Sequence, residues 1–345
     1  MSGPCRVDRL SSLPDELQSQ ILSMLPTKDV AAMQVLSMRM RRYAFALVTS
    51  VDLDDSPISH CIENPHLIER FPLFESYVGN VLQKISQSGQ SLTRFRFRLG
   101  GDKTSRIQRL DGLHDCEGQC FPYTDPARLN AWISFPLTHL GLRELDLSFH
   151  VREPLEYQLP AGLFACQSLQ VLKLDSNLQL NAEISTICLP NLKLLHLHCF
   201  YIVENDFVTR LVSSCPSLED LAIAYCLWDQ LDLLDISSRS LRKLVLIIWN
   251  DDEENNSDLT HIDTPNLQYF HYSDNLAIQY CITDMNALVK CCLMLSIYLC
   301  LVLVSRFVCW PVSSCFQTYY FLLTDGTMGT LLFDINSLLR RVFFV

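Results

Sequence analysis

Leu169-Gln170-Val171-Leu172-Lys173-Leu174 sets the reading of this chain, because its leucine spacing, L-x-x-L-x-L, returns at Leu192-Leu195-Leu197, Leu218-Leu221-Ile223 and Leu241-Leu244-Leu246. Aromatic residues take two of the positions in Leu267-Phe270-Tyr272, and upstream Leu142-Leu145-Leu147 and Leu92-Phe95-Phe97 fit the same template. Starts at 142, 169, 192, 218, 241 and 267 are 27, 23, 26, 23 and 26 residues apart, and the two-repeat steps 92 to 142, 142 to 192 and 192 to 241 are 50, 50 and 49. Chance alternation does not hold such a step.

A unit of roughly 20–29 residues with this leucine pattern is the signature of leucine-rich repeats, in which each coil gives one strand and stacks on its neighbours. Pro190, Pro216 and Pro265 each stand two residues before the first repeat leucine, where proline favours extended backbone and need donate no ladder bond. Asn177, Cys226 and Asn275 stand eight residues after Leu169, Leu218 and Leu267, a position whose side chain satisfies backbone groups of the turning chain. The expected class is α/β: a solenoid over residues 51–280, with a curved parallel sheet on the concave face and helices and irregular arcs outside. Its pattern ends near Asn275.

Ahead of the repeats, Pro14 falls at the start of a helix whose first turn holds Asp15 and Glu16, and Leu13, Leu17, Ile21 and Leu25, with Leu22 beside them, form one apolar stripe. Pro26 stops it. Thr27 is a suitable cap for a second helix with Val30, Met33 and Leu36, and Ser37 for a third with Met40, Tyr43 and Leu47. Three short helices make a small core, so this unit is expected to rely on a partner.

The run Leu13-Pro14-Asp15-Glu16-Leu17, Ile21 to Val30 and Val35 to Arg41 resembles the F-box of plant F-box proteins with leucine-rich repeats, over residues 8 to about 48. The resemblance implies a three-helix domain at 8–50 that docks the adaptor subunit of an SCF-type, cullin-based ubiquitin ligase, through Leu13, Pro14, Leu17, Ile21, Leu22, Leu25, Pro26, Val30 and Leu36. The repeats would then bind a target protein for ubiquitination. Met40 stands where the family usually has tryptophan; it fills apolar space with less contact area. A repeat scaffold without ligase coupling, and a membrane-anchored variant of it, are the alternatives.

Between the two parts, Val51-Asp52-Leu53 is expected to be a strand, 71–85 an amphipathic helix, 92–99 a half-buried strand and 126–137 a helix, with an irregular insertion near 100–125. Past the repeats lies a divergent tail, 281–345. Cys291 to Ser305 contains no charge, which is short of the ~20 apolar residues of a spanning helix. A buried helix capping the last coil, a membrane segment over 288–305 and a sequence diverging from the family all remain open.

Composition narrows function. With 27 basic against 38 acidic residues, net −11, the chain lacks the cationic surface that nucleic acid requires. Fifteen cysteines, odd in number and scattered, together with an N-terminus lacking a signal-peptide core, point to a reducing cytosol or nucleus. No phosphate loop, dinucleotide fingerprint, nucleophile elbow or zinc-protease motif is present, so no catalytic residue and no cofactor is assigned. His114, Cys116 and Cys120 are too loosely spaced for a zinc site, and no metal is assigned either. Asp251 to Glu254 reads as a solvated loop.

Binding is therefore expected on the concave strand face. Its outward residues run from Arg94, Arg96 and Arg98 through Glu144 and Asp146, then Lys173, Leu194, His196 and His198, to Lys243, Val245, Ile247, Tyr269 and His271. The arginines are candidates for an acidic segment or phosphate. The later apolar and aromatic positions exceed what solubility requires.

Overall fold

A computed structural model describes residues 12–35, 44–55, 71–89, 91–99, 125–139, 141–151, 154, 157–180, 187–204, 206–228, 233–248, 257–274, 277–283, 287–295, 319–322 and 328–329. The chain forms two compact units, Met1–Glu153 and Pro154–Val345.

The first unit begins with helices α1 (Asp15–Met24) and α2 (Thr27–Met33). Each follows a proline in extended conformation, so the cap position carries no side-chain hydrogen bond. Thr27, expected as a cap, is instead buried inside α2, and its Oγ1 accepts from Asp52 N at 2.7 Å. Ser19 Oγ donates to Leu47 O at 2.6 Å, and Ser23 Oγ lies 3.1 Å from Thr49 Oγ1. Three small hydroxyl side chains thus tie both helices to the following segment, where Phe45–Leu47 forms a 3-10 turn. Leu36 of the expected second helix, and most of the expected third helix from Ser37, with Met40 and Tyr43, fall outside the described residues.

Strands β1 (Ser50–Asp54), β2 (Arg94–Leu99) and β3 (Glu144–Phe149) pair in parallel with Val51 opposite Phe95 and Phe95 opposite Leu145. Parallel neighbours need a crossover. The helices Phe71–Ser88 and Pro126–Leu137 provide it, the second capped by Asp125, whose Oδ1 accepts from Ala127 N. Phe74, Val78, Val81 and Ile85 from one helix, and Leu129, Trp132 and Ile133 from the other, are buried with Phe95 and Phe97. The Phe97 ring lies 6.4 Å from Phe74 and 5.8 Å from Trp132.

In the second unit β4 (Val171–Asp175), β6 (Leu194–His198), β8 (Asp220–Trp228), β10 (Lys243–Ile248), β12 (Tyr269–Asp274) and β14 (Lys290–Leu295) form a parallel ladder; β5 (Gln179–Leu180) and β7 (Tyr201–Ile202) are short side strands. Leu172, Leu195, Leu221, Leu244, Phe270 and Cys291 stand opposite one another along it, all buried.

Two expectations need correction. The pattern was expected to end near Asn275, yet β14 adds another rung. Leu288 and Cys291 are buried in it, and the cysteine stands in the leucine position and acts as a small hydrophobe. Residues 290–295 are therefore strand rather than the start of a capping or spanning helix; 296–305 lie outside the described residues. Among the described residues no helix is long and apolar enough to cross a membrane. Secondly, the outer arcs are not all helix or irregular chain. The Phe207–Ser213 helix backs one coil, but β9 (Leu233–Ser237), β11 (Ser257–Asp263) and β13 (Ala277–Thr283) form a second parallel sheet. Leu234, Ile236, Thr260 and Ile262 alternate inward along it, a period of two that suits strand and not helix.

Truncating Phe97 to alanine removes the ring shared by the two crossover helices of the first unit, at a cost of about 3–5 kcal/mol. Urea unfolding should show an earlier transition of that unit, and a loss under about 1 kcal/mol would contradict this packing.

Candidate functional site

On α1 the residues that hold the helix down are Gln18 and Leu22; Gln18 Nε2 donates to Leu13 O at 2.6 Å. The rest of the apolar stripe turns outward: Leu17 is 46% exposed, Ile21 37% and Met24 85%, and Val35 beyond α2 is 80% exposed. Of the nine residues assigned to this face, Pro14 and Pro26 are exposed, Leu13 and Leu25 half-buried, and Leu22 and Val30 buried in the core; Leu36 lies outside the described residues. Leu22 and Val30 therefore support the face without forming it. Met24 and Val35 are exposed as well and were not singled out, although Met24 lies three residues beyond Ile21 on the same side of the helix.

On the strand face of the first unit, the three arginines do not form an open cationic row. Arg94 Nε is 3.2 Å from Glu144, and Arg96 bridges Asp52 at 3.1 Å and Asp146 at 3.7 Å. Arg96 is thus held between carboxylates of both neighbouring strands, whereas the Arg94–Glu144 pair stays about half exposed. The acids Asp52, Glu144 and Asp146 alternate with leucines in their own strands, which is the signal that could have shown it.

The ladder of the second unit arranges its outward residues in three rows. One holds Val171, Leu194, Asp220, Lys243, Tyr269 and Lys290; the next Lys173, His196, Ala222, Val245, His271 and Cys292; the third Asp175, His198, Ala224, Ile247 and Ser273. In the first row, Lys243 Nζ donates to Asp220 Oδ2 at 3.0 Å while Asp220 Oδ1 lies 3.2 Å from His196 Nε2. Burial works to raise the Asp220 pKa, but the hydrogen bonds and charges of His196 and Lys243 outweigh it and hold this carboxyl below its ordinary value. Tyr269 carries two ammonium groups near its ring, Lys243 at 5.9 Å and Lys290 at 5.4 Å from the centroid. His271, half-buried beside them, titrates below its ordinary value because burial and then the Lys290 charge disfavour its protonated form. Between the polar groups, the half-buried Ala222, Val245 and Ile247 leave a low apolar surface. Lys290 and Cys292 were missed because β14 was.

Outside the described residues lie His114, Cys116 and Cys120, Asp251 to Glu254 and Met40. The described cysteines are free thiols, and burial pushes those of Cys215, Cys226 and Cys291 up to about 12. Cys226, expected at the turn position, has its Sγ 3.7 Å from Ala224 O and 3.9 Å from Leu197 O, the backbone-satisfying role assigned to it.

Known families match both parts. Residues 10–44 match the F-box domain, and residues 129–304 match the repeats of the FBD-associated F-box protein At5g56370. The chain belongs to the F-box/LRR-repeat family. It is 33% identical to the Arabidopsis thaliana F-box/LRR-repeat protein At4g14103 over 284 residues, 82% of this chain and 66% of that protein. It is also 33% identical to At3g59210 over 288 residues, 83% and 53%, and to At3g59200 over 287 residues, 82% and 49%. The chain thus spans from about half to about two thirds of the length of these Arabidopsis relatives.

His271 gives this face a pH signature. Its folded pKa is below the ordinary 6.5, so between the two values the unfolded chain binds more protons and stability rises with pH. Stability should fall as pH drops from about 7 through 6.5 toward the lowered value, and His271→Gln should flatten that slope in urea titrations; an unchanged slope would refute the assignment. Asp220 acts in the acid range, where its contribution, present above the ordinary 3.8, is lost as pH falls through its lowered value.

Proposed function

We propose that this chain is the substrate-recognition subunit of a cullin-type ubiquitin ligase, its F-box docking the adaptor and its repeat face holding a protein target. The observation that carries this reading is the outward stripe of Leu17, Ile21, Met24 and Val35 on a helical module whose interior is closed by Leu22 and Val30. An isolated surface methionine needs no explanation, but four large apolar side chains on so small a module fit a helix-packing partner. Catalysis then belongs to other subunits, and this chain contributes proximity by holding the target near the transferring site.

The target meets the three rows of the second unit. Val245 and Ile247 offer apolar contact, Tyr269 an aromatic anchor of the kind that dominates interface energies, and Lys243 and Lys290 a cationic end suited to an acidic residue in the bound segment. Asp220 orients Lys243 and His196 on that surface.

Leu17→Asp with Ile21→Asp should abolish adaptor co-purification while changing stability by no more than about 0.5 kcal/mol, because both positions are exposed. Val245→Glu should leave the adaptor bound and release the target, read by affinity purification under proteasome inhibition. An intact chain that captures no adaptor would sink the proposal.

A further inference from the structure

Strand β1 stands at the end of its ladder: among the described residues it pairs with β2 and with no other strand. In a parallel pair, alternate residues of such an edge strand bond the neighbour, and the others point their backbone groups away from it. The bonds that join the two strands at their ends fall on odd-numbered residues, Thr49 O accepting from Thr93 N at 2.8 Å and Asp55 N donating to Arg98 O at 3.3 Å. Asp52, the central residue of β1, is even-numbered. Its N–H therefore faces the outer edge, where an unmatched amide invites a foreign strand.

That amide is met by the docking module. Thr27 Oγ1 accepts from Asp52 N at 2.7 Å, and Thr27 is 1% exposed. Thr27 opens α2 without capping it, since the cap position belongs to Pro26. From α1, Ser19 and Ser23 reach Leu47 O and Thr49 Oγ1, just ahead of the same strand. The far end of α2 is tied as well: Lys84, on the crossover helix Phe71–Ser88, donates to Gln34 Oε1 at 2.5 Å, with its Nζ 5.5 Å from the Phe45 ring centroid.

Dependence runs both ways. Helix α1 has 10 residues and α2 has 7, below the ~12–15 at which an isolated helix is even marginal in water, so the module owes its order to Leu22, Val30 and these ties. In return β1 owes its covered edge to the module. Asp52 carries the link further, because its Oδ2 accepts from Arg96 Nη1 at 3.1 Å and Arg96 Nε lies 3.7 Å from Asp146 on β3. A line of bonded groups thus joins the helices that present Leu17 and Ile21 to the outward residues of three strands.

We propose that the docking module is also the cover of the repeat sheet's edge, and that adaptor engagement is thereby coupled to the order of β1 and of the Arg96 pairs beside it. A partner that packs on α1 and α2 binds only the ordered module, so it depletes the population in which Thr27 leaves Asp52 and the edge opens. By the reciprocity of linkage, whatever loosens β1 weakens the adaptor. The coupling rests on the ligase reading; the edge cover does not.

The test is hydrogen exchange on the full chain, alone and with the purified adaptor. Thr27→Val keeps the shape of the side chain and removes the acceptor, while Thr27→Ser keeps the hydroxyl. Thr27→Val should speed exchange over residues 50–54 roughly tenfold, with Thr27→Ser close to the unaltered chain and the amides of β8 and β10 unmoved. Saturating adaptor should slow the 50–54 amides of the unaltered chain roughly tenfold, and Thr27→Val should bind the adaptor more weakly. Should Thr27→Val not fold, Thr27→Ala decides by the same readout. Exchange over 50–54 that is unchanged by loss of the hydroxyl, or raised equally in β8 and β10, would overturn the edge cover. Bound adaptor that leaves 50–54 exchanging as before would overturn the coupling. An adaptor that never binds overturns the ligase reading and the coupling with it, and the Thr27 variants still decide the edge cover.

Discussion

Parallel strand register is the constraint on which the repeat unit depends. With a side-chain period of two, a slip of one residue would exchange every inward leucine for an outward polar residue along the whole ladder. Leu172, Leu195, Leu221, Leu244 and Phe270 resist that slip together, because each is buried against its neighbours in register. The outward rows are a by-product of the same lock. Asp220 reaches both His196 and Lys243 because its strand cannot move without exposing Leu221.

Much of this was legible in the residues. Leucine spacing located the ladder strands β4 to β12 and named the residues between them, and the apolar steps of the segments 71–88 and 126–137 located the helices of the first unit. What escaped did so for physical reasons. Cys291 hid a rung because a thiol does the work of a leucine only once it is buried. The second sheet hid because its alternation, Leu234 with Ile236 and Thr260 with Ile262, is short and partly polar. The direction of the α1 stripe also needed the structure: spacing places Leu17, Ile21 and Leu22 on one helix, but only packing decides that Leu22 goes in and Leu17 stays out.

Charge was the least legible feature. Arg94 and Arg96 look like an unpaired cationic row in sequence and are ion-paired in the structure, since Glu144, Asp52 and Asp146 come from other strands. The tie from Thr27 to Asp52 was equally hidden, because a threonine at a helix start reads as its cap. Both cases turn on partners that lie 25 or more residues away in the chain.

The second sheet, β9, β11 and β13, affects how the face is presented. Strands recur about every 4.8 Å, whereas packed helices need about 8–10 Å between their axes. A ladder backed by helices must therefore fan open on its outer side and bend. The strands β9, β11 and β13, which follow β8, β10 and β12 in the chain, pair with one another in parallel and so recur at the strand step. An outer wall of strands therefore asks for less bending of this stretch than a wall of helices would.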